Sequence, residues 1–170
     1  STADLSSDDR AVARRLMDSA FGPRFTDHDW DHALGGMHFV IRGDDGTVVS
    51  HASVVERTLE VGGEAIRTGY VEAVATHPEV QGQGLATTVM RTVGAFIVAN
   101  YSMGGLSTNL GFYQRFGWLP WLGPTWCRGE DGLIRTSEDD GGVWVLPVPA
   151  GAILDREGDI VADWRAGDVW

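Results

Sequence analysis

Lysine is absent from this chain, and all 13 of its basic residues are arginine. Set against 24 acids, they leave a formal net charge of −11. A long-range field of that sign repels polyanions, so neither nucleic acid nor an anionic membrane is an expected partner, and cationic molecules are favoured. Plain solubility accounts for the same excess. Cysteine is almost missing as well. Cys127 is the only one, so no internal disulfide is expected, and it reads as a small, partly buried hydrophobe. No apolar run is long enough to cross a bilayer, and Ser1-Thr2-Ala3-Asp4 has neither the basic start nor the apolar stretch of a signal peptide. Repeats and low-complexity tracts are lacking too. The expectation is a cytoplasmic protein folded as one domain over residues 1–170, with 43% hydrophobic residues to fill its core.

What is present begins with helical signals. Ser7 is placed to cap a helix with Asp8 and Asp9 in its first turn, and Val12, Leu16 and Ala20 recur at four-residue steps until Gly22-Pro23 stops it. Thr26 with Asp29 three residues on predicts a second, short helix with a capping box. Strand signals follow at Met37–Arg42, Val48–Arg57, Leu59–Val61, Ala65–Arg67 and Tyr70–Thr76, with turns at Asp44-Asp45-Gly46 and Gly62-Gly63. They predict an antiparallel meander. A helix from Leu85 to about Ala99, buried along Leu85, Val89, Val93, Phe96 and Ile97, comes next. A strand over Gly104–Ser107, a small helix over Phe112–Arg115 ending at Gly117, and strands at Val143–Val148 and Ile160–Trp164 complete the pattern. The Gly-, Pro- and Trp-rich stretch after Trp118 resists assignment. Together these elements describe a mixed α+β fold around a mostly antiparallel sheet.

Between the last meander strand and the central helix lies Gln81-Gly82-Gln83-Gly84-Leu85-Ala86. Glycines there let backbone approach a ligand, and the first N–H groups of a helix point outward at an anion. Three readings compete. A dinucleotide fingerprint would need Gly or Ala where Thr87 stands, and an acid about 20 residues onward where Tyr101, Ser102 and Met103 stand. A plain glycine turn would bind nothing. The third reading is coenzyme A: Gln81-x-x-Gly84-x-Ala86 resembles the pyrophosphate loop of the GNAT acyl-CoA N-acyltransferase superfamily, and Phe112-Tyr113-Gln114-Arg115-Phe116-Gly117-Trp118 resembles its second signature.

That resemblance implies a GNAT fold, with helices flanking the sheet, and an acetyl-CoA co-substrate. It implies that the backbone of Ala73, Val74 and Ala75 lies along pantetheine, that an N–H among them serves as oxyanion donor, and that Gln81, Gly82, Gln83, Gly84, Leu85, Ala86 and Thr87 hold the pyrophosphate. Tyr113 is implied as the general acid toward the departing thiolate, a role suited to a phenol with a pKa of about 10. Its alternative is one more aromatic on an amphipathic turn.

Further stretches narrow the family. Asp27-His28-Asp29-Trp30-Asp31-His32, Leu34-Gly35-Gly36-Met37-His38, Gly69-Tyr70-Val71-Glu72, Gly117-Trp118-Leu119-Pro120-Trp121 with Gly123-Pro124-Thr125, and Asp163–Trp170 are similar to the aminoglycoside 2'-N-acetyltransferases. The resemblance implies a bacterial, homodimeric enzyme that acetylates a polycationic antibiotic, conferring resistance to it. Asp29, Glu72, Ser107, Asp139, Asp140, Asp168 and Trp170 are the matching acceptor-site positions; Glu72 is implied as the base, directly or through water, and Trp170 as a further catalytic residue whose terminal carboxylate points into the acceptor site. Alternatives remain open: Glu72 as the outward residue of an alternating strand, Ser107 as a strand-end hydroxyl, and Trp170 as a tail residue packed on the core. Departures from the family pattern lie at Arg24, in a shorter stretch between Ser107 and Tyr113, and in a longer one in the 150s. They leave the preferred drug open, including an atypical one such as kasugamycin. The rival functions are acetylation of another small amine, such as a polyamine or metabolite, and ligand binding without catalysis. His28 and His32 lack a third ligand at metal spacing, so no metal is expected. Glu138-Asp139-Asp140 before Gly141-Gly142 reads as a turn, and Ser107 has no nucleophile-elbow context.

Overall fold

The structure, a computed structural model, describes residues 1–151 and 154–170; residues 152 and 153, within the longer stretch of the 150s, lie outside them. In chain order the elements are α1 (Ser7–Phe21), α2 (Asp27–Ala33), β1 (Met37–Arg42), β2 (Val48–Val61), β3 (Glu64–Thr76), α3 (Leu85–Asn100), β4 (Met103–Ser107), β5 (Leu119–Pro120), β6 (Thr125–Gly129), β7 (Gly132–Arg135), β8 (Val143–Pro147) and β9 (Ile160–Asp163). They form two compact units, Ser1–Val55 with Val71–Ala95, and Glu56–Tyr70 with Phe96–Trp170. Strands β2 and β3 and helix α3 therefore contribute to both.

In the first unit the cap of α1 is Ser6, one residue earlier than expected: its hydroxyl accepts the Asp9 N–H at 3.1 Å. Leu16 and Met17 are buried with Val48 and Ala75, and Val12, Ala20, Phe21, Phe25, Trp30 and Ala73 pack around them. The apolar stripe of α1 is thus its inner face against β2 and β3. Gly22 ends the helix at φ 61°, a left-handed position that suits glycine. Thr26 caps α2 with Asp29 closing the box, as the pattern predicts. Strand β1 runs antiparallel to β2 in a register that sets Met37 opposite Val54, with an irregularity between Ile41 and Arg42.

The second unit carries strands in the order β5-β8-β4-β3-β2-β9-β6-β7. Parallel pairing occurs between β3 and β4 and between β6 and β9. The stretch after Trp118 resolves into β5, β6 and β7, built less on alternation than on buried tryptophan. Trp118 and Trp121 are fully buried, and the Trp121 indole donates to the Gly158 carbonyl at 2.9 Å.

Five expected strand segments before α3 are three strands here. Leu59–Val61 continues Val48–Arg57, and Ala65–Arg67 runs on into Tyr70–Thr76. Gly69 does not break β3, because the space of its missing side chain is filled by two other side chains: a Cβ there would lie 2.7 Å from Tyr101 Cδ2 and 3.1 Å from Ile97 Cγ1. Helix α3 buries Val89, Met90, Val93 and Ile97, while Leu85 and Phe96 are only half-buried. Gly69→Val is expected to cost about 1–3 kcal/mol through overpacking, read as a lower urea midpoint. An unchanged midpoint would show that Tyr101 swings aside freely.

Candidate active site

The first unit supplies β3 beyond Tyr70, and the loop into α3. Parallel pairing of β3 with β4 runs from Thr68–Met103 to Tyr70–Gly105. Three residues past Tyr70, Ala73 takes φ 50°, the one non-glycine at positive φ among the described residues. A left-handed alanine costs about 1–2 kcal/mol, so something must hold it. Strand β2 does so with polar side chains in an otherwise apolar run. Ser53 Oγ donates to the Glu72 carbonyl at 3.3 Å, His51 Nδ1 meets the Ala73 carbonyl at 2.8 Å, and Ser50 Oγ donates to the Ala75 carbonyl at 3.2 Å. The carbonyls of Glu72, Ala73 and Ala75, on either side of the left-handed residue and at it, thereby each have a side-chain partner. Glu72, Ala73 and Val74 are half-buried and Ala75 is buried.

Gly82 and Gly84 stand at φ 79° and 83°, and nothing lies within 4 Å of where their Cβ atoms would be. The Gln81 side chain turns back to donate to the Thr76 carbonyl at 3.1 Å. The first intrahelical bond of α3 runs from the Thr88 N–H to the Gly84 carbonyl at 3.0 Å. The amides of Leu85, Ala86 and Thr87 stand ahead of it, at the positive end of the helix dipole, with no acid in that turn. An open cradle of backbone donors suits a diphosphate. Asp29, in contrast, points one carboxylate oxygen into its own helix cap, where it accepts from the Thr26 N–H at 2.7 Å and the Thr26 hydroxyl at 2.9 Å.

The second unit carries the other expected residues. Ser107 is exposed at the end of β4. Tyr113 is buried on a 3-10 turn, Gly111–Phe116, closed by Gly117 at φ 84°. Burial pushes its phenol up to about 12, so the group stays protonated at any physiological pH. Asp139 is raised above the ordinary carboxylate range by burial first, then by the charges of Asp168 and Glu138. Those acids share one negative locus. Asp140 is differently occupied: Oδ1 accepts from the Thr125 N–H at 3.2 Å and its hydroxyl at 3.1 Å, and Arg135 pairs with Oδ2. The Arg135 hydrogen bond holds the Asp140 carboxyl below its usual range. Trp170 is buried, and its indole donates to Thr136 Oγ1 at 3.0 Å. Arg57 donates to the Val169 carbonyl and Arg165 to the Asp168 carbonyl, each at 2.8 Å, so arginines anchor the segment bearing Asp168.

Sequence comparison agrees with this geometry. The model of the acetyltransferase (GNAT) domain matches residues 2–120. An aminoglycoside 2'-N-acetyltransferase of Mycolicibacterium fortuitum is 49% identical over 174 residues, covering 99% of this chain and 89% of that protein. The chain belongs to the GNAT acetyltransferases and, within them, to the aminoglycoside 2'-N-acetyltransferase family. The fold recurs in a GNAT N-acetyltransferase of Escherichia coli solved with CoA (TM-score 0.67, 18% identity, 93% of this chain and 86% of that one). It recurs again in a GNAT acetyltransferase of Brucella melitensis solved with acetyl-CoA (TM-score 0.64, 20% identity, 95% and 93%). Some matches are to longer proteins: the chain spans 32% of a conserved Enterococcus faecalis V583 protein that it matches at a TM-score of 0.59 and 16% identity, over 69% of its own length.

Two features, one in each unit, are hidden in the sequence. His51 looks like part of an apolar strand, and the Thr125–Thr136–Arg135 frame around Asp140 has no local signature. The raised Asp139 carboxyl also has a measurable consequence. A group whose folded pKa is raised favours the folded state only while protonated, and that contribution is lost as pH rises through the raised value. Asp139→Asn is therefore expected to gain thermal stability over the unmutated protein as pH increases from the acid range to neutrality. A gain that shrinks along the same path would contradict the upward direction assigned to the Asp139 carboxyl.

Proposed function

We propose that this chain transfers the acetyl group of acetyl-CoA to an amino group, the 2'-amine, of an aminoglycoside, directly and without a covalent enzyme intermediate. The observation that carries the acetyl-CoA half is the cradle of open amides from Gly82 to Thr87, able to bind an anion in a chain of net charge −11. The acceptor half is supported by the near-full-length identity to the Mycolicibacterium enzyme and by the locus of Asp139, Asp168 and Glu138. Such a locus favours ammonium groups, because each cation that binds relieves repulsion among the acids.

On this reading, the amides from Gly82 to Thr87 hold the pyrophosphate, while Gln81 braces the loop, its side chain donating to the Thr76 carbonyl and its own N–H to the Pro78 carbonyl. The backbone of Ala73, Val74 and Ala75 lies along pantetheine, and the Val74 N–H donates to the developing oxyanion. Glu72, directly or through water, takes the proton that the substrate ammonium must lose before it attacks. Tyr113 donates to the departing thiolate. Its raised pKa lies above a thiol's, about 8.5 in water, but desolvation raises the thiol in the same direction and narrows the gap. Asp139 and Asp168 bind amines, and Ser107 offers a hydroxyl to the sugar. Asp140 and Asp29 shape the loop and the helix that carry them, and Trp170 fixes the segment carrying Asp168. Residues 1–170 act as one domain, and the enzyme is a homodimer of the bacterial cytoplasm.

Thiol release from acetyl-CoA, followed against a panel of amines, tests the reading. Turnover is expected with aminoglycosides bearing a 2'-amine and not with their 2'-hydroxy counterparts; turnover with polyamines alone would replace the acceptor assignment. Tyr113→Phe is expected to lower kcat by about a hundredfold with little change in KM. A smaller effect on kcat than on KM would remove Tyr113 from the chemistry.

A further inference from the structure

A chain of hydrogen bonds runs beneath the left-handed Ala73, all of it within the first unit. The Ala73 carbonyl meets His51 Nδ1 at 2.8 Å, His51 Nε2 meets His38 Nδ1 at 2.9 Å, and His38 Nε2 meets Thr2 Oγ1 at 2.7 Å. The direction of the two imidazole protons in it follows from chemistry. A carbonyl only accepts, so His51 Nδ1 carries hydrogen. In a neutral ring Nε2 is then a bare acceptor, so the donor facing it is His38 Nδ1–H. His38 Nε2 is bare in turn and faces the Thr2 hydroxyl, whose single proton has the Gly36 carbonyl at 3.2 Å as its other acceptor, while Thr2 Oγ1 accepts the Gly35 N–H at 2.9 Å. Both rings are neutral: burial lowers His51, and burial followed by the charge of His51 lowers His38 to about 4. His51 is fully buried and its ring sits 5.2 Å from that of His38.

The bond at the end of this chain falls on a peptide with a second function. The Ala73 carbonyl and the Val74 N–H belong to the same amide. A donor on the oxygen draws electron density through the amide, makes the N–H a stronger donor, and fixes the plane of a peptide that follows a left-handed alanine. We propose that His51, anchored at Nε2 by His38, is a positioning residue that polarises the Ala73–Val74 peptide and aims the Val74 N–H at the oxyanion. This rests on the reading of Val74 as the oxyanion donor. The carbonyl sets the His51 tautomer, because a bare Nδ1 would face its lone pairs; His38 matters because its Nδ1–H engages His51 Nε2 and so holds and polarises the ring.

The test compares the unmutated protein with His51→Leu, His51→Asn and His38→Leu. Its first readout needs no turnover: a donor on a carbonyl deshields the nitrogen of the same amide. In His51→Leu the Val74 15N resonance is expected to move upfield. In His51→Asn, whose amide nitrogen stands near the Nδ1 position, it is expected to stay, and His38→Leu should fall between. The second readout is kinetic. His51→Leu is expected to lower kcat roughly tenfold, a fraction of the 10²–10³ that loss of an oxyanion donor costs, with KM for acetyl-CoA changed less than about twofold, and His51→Asn is expected to restore most of it. A folded His51→Leu protein with an unmoved Val74 resonance or an unchanged kcat overturns the proposal. Should His51→Leu not fold, His38→Leu decides: kcat and the Val74 resonance move together, or the proposal fails. If the unmutated protein transfers no acetyl group, the functional reading falls separately and the Val74 resonance alone decides the polarisation.

Discussion

The binding of an anion by a strongly acidic chain is the constraint on which this site depends. Side chains of the loop bring no positive charge to it, since Gln81 to Thr87 includes no arginine and the net charge of the chain is −11. Backbone amides at a helix start are indifferent to that charge, because they are dipoles held by the fold. Gly82 and Gly84 make the approach open, since any side chain there would stand in the left-handed region and in the cradle. The first turn of α3 contains no acid to compete. The remaining charge is then available for cations. The locus of Asp139, Asp168 and Glu138 raises the Asp139 carboxyl, and a cation bound there relieves repulsion that the unliganded protein bears.

A second local cost is met inside the fold. Ala73 is left-handed within β3, and carbonyls beside it would be expensive if buried without donors. Ser50, His51 and Ser53 on β2 provide those donors. Each such bond is worth about 1 kcal/mol net, enough together to offset a strain of about 1–2 kcal/mol. The polar interior of β2 is therefore explained by the left-handed residue that it faces. Tyr70, three residues before Ala73, is buried where a Cβ on Gly105 would come within 2.7 Å of its ring, so the last parallel pair of β3 and β4 is itself a close packing contact.

Much of this is legible in the sequence, because local chemistry carries it. The capping box of α2, the glycine stop of α1, the α3 stripe and the glycine loop all depend on residues a few positions apart. The loop and the Phe112–Trp118 motif point to one superfamily, and the fold and family comparisons agree. Strand continuity is less legible: the strand signal lapses at Gly69 unless Tyr101 is known to fill the space beside it. The α1 cap shifts by one residue because Ser6 and Ser7 offer the same hydroxyl. Asp29 and Asp140 group with the substrate acids by charge, yet both carboxylates are engaged by their own neighbours, one by a helix cap and one by Arg135 and Thr125. His51 is invisible in the sequence as a functional residue, since its partners His38 and Ala73 come from strands that only the folded chain brings beside it.

Titration of CoA into 15N-labelled protein, read amide by amide, tests the central claim most directly. The account predicts that the resonances of Gly82 to Thr87 move first and furthest, with those of Ala73 to Ala75 following as pantetheine is accommodated. Saturable binding that moves other amides and leaves the head of α3 unperturbed would contradict it.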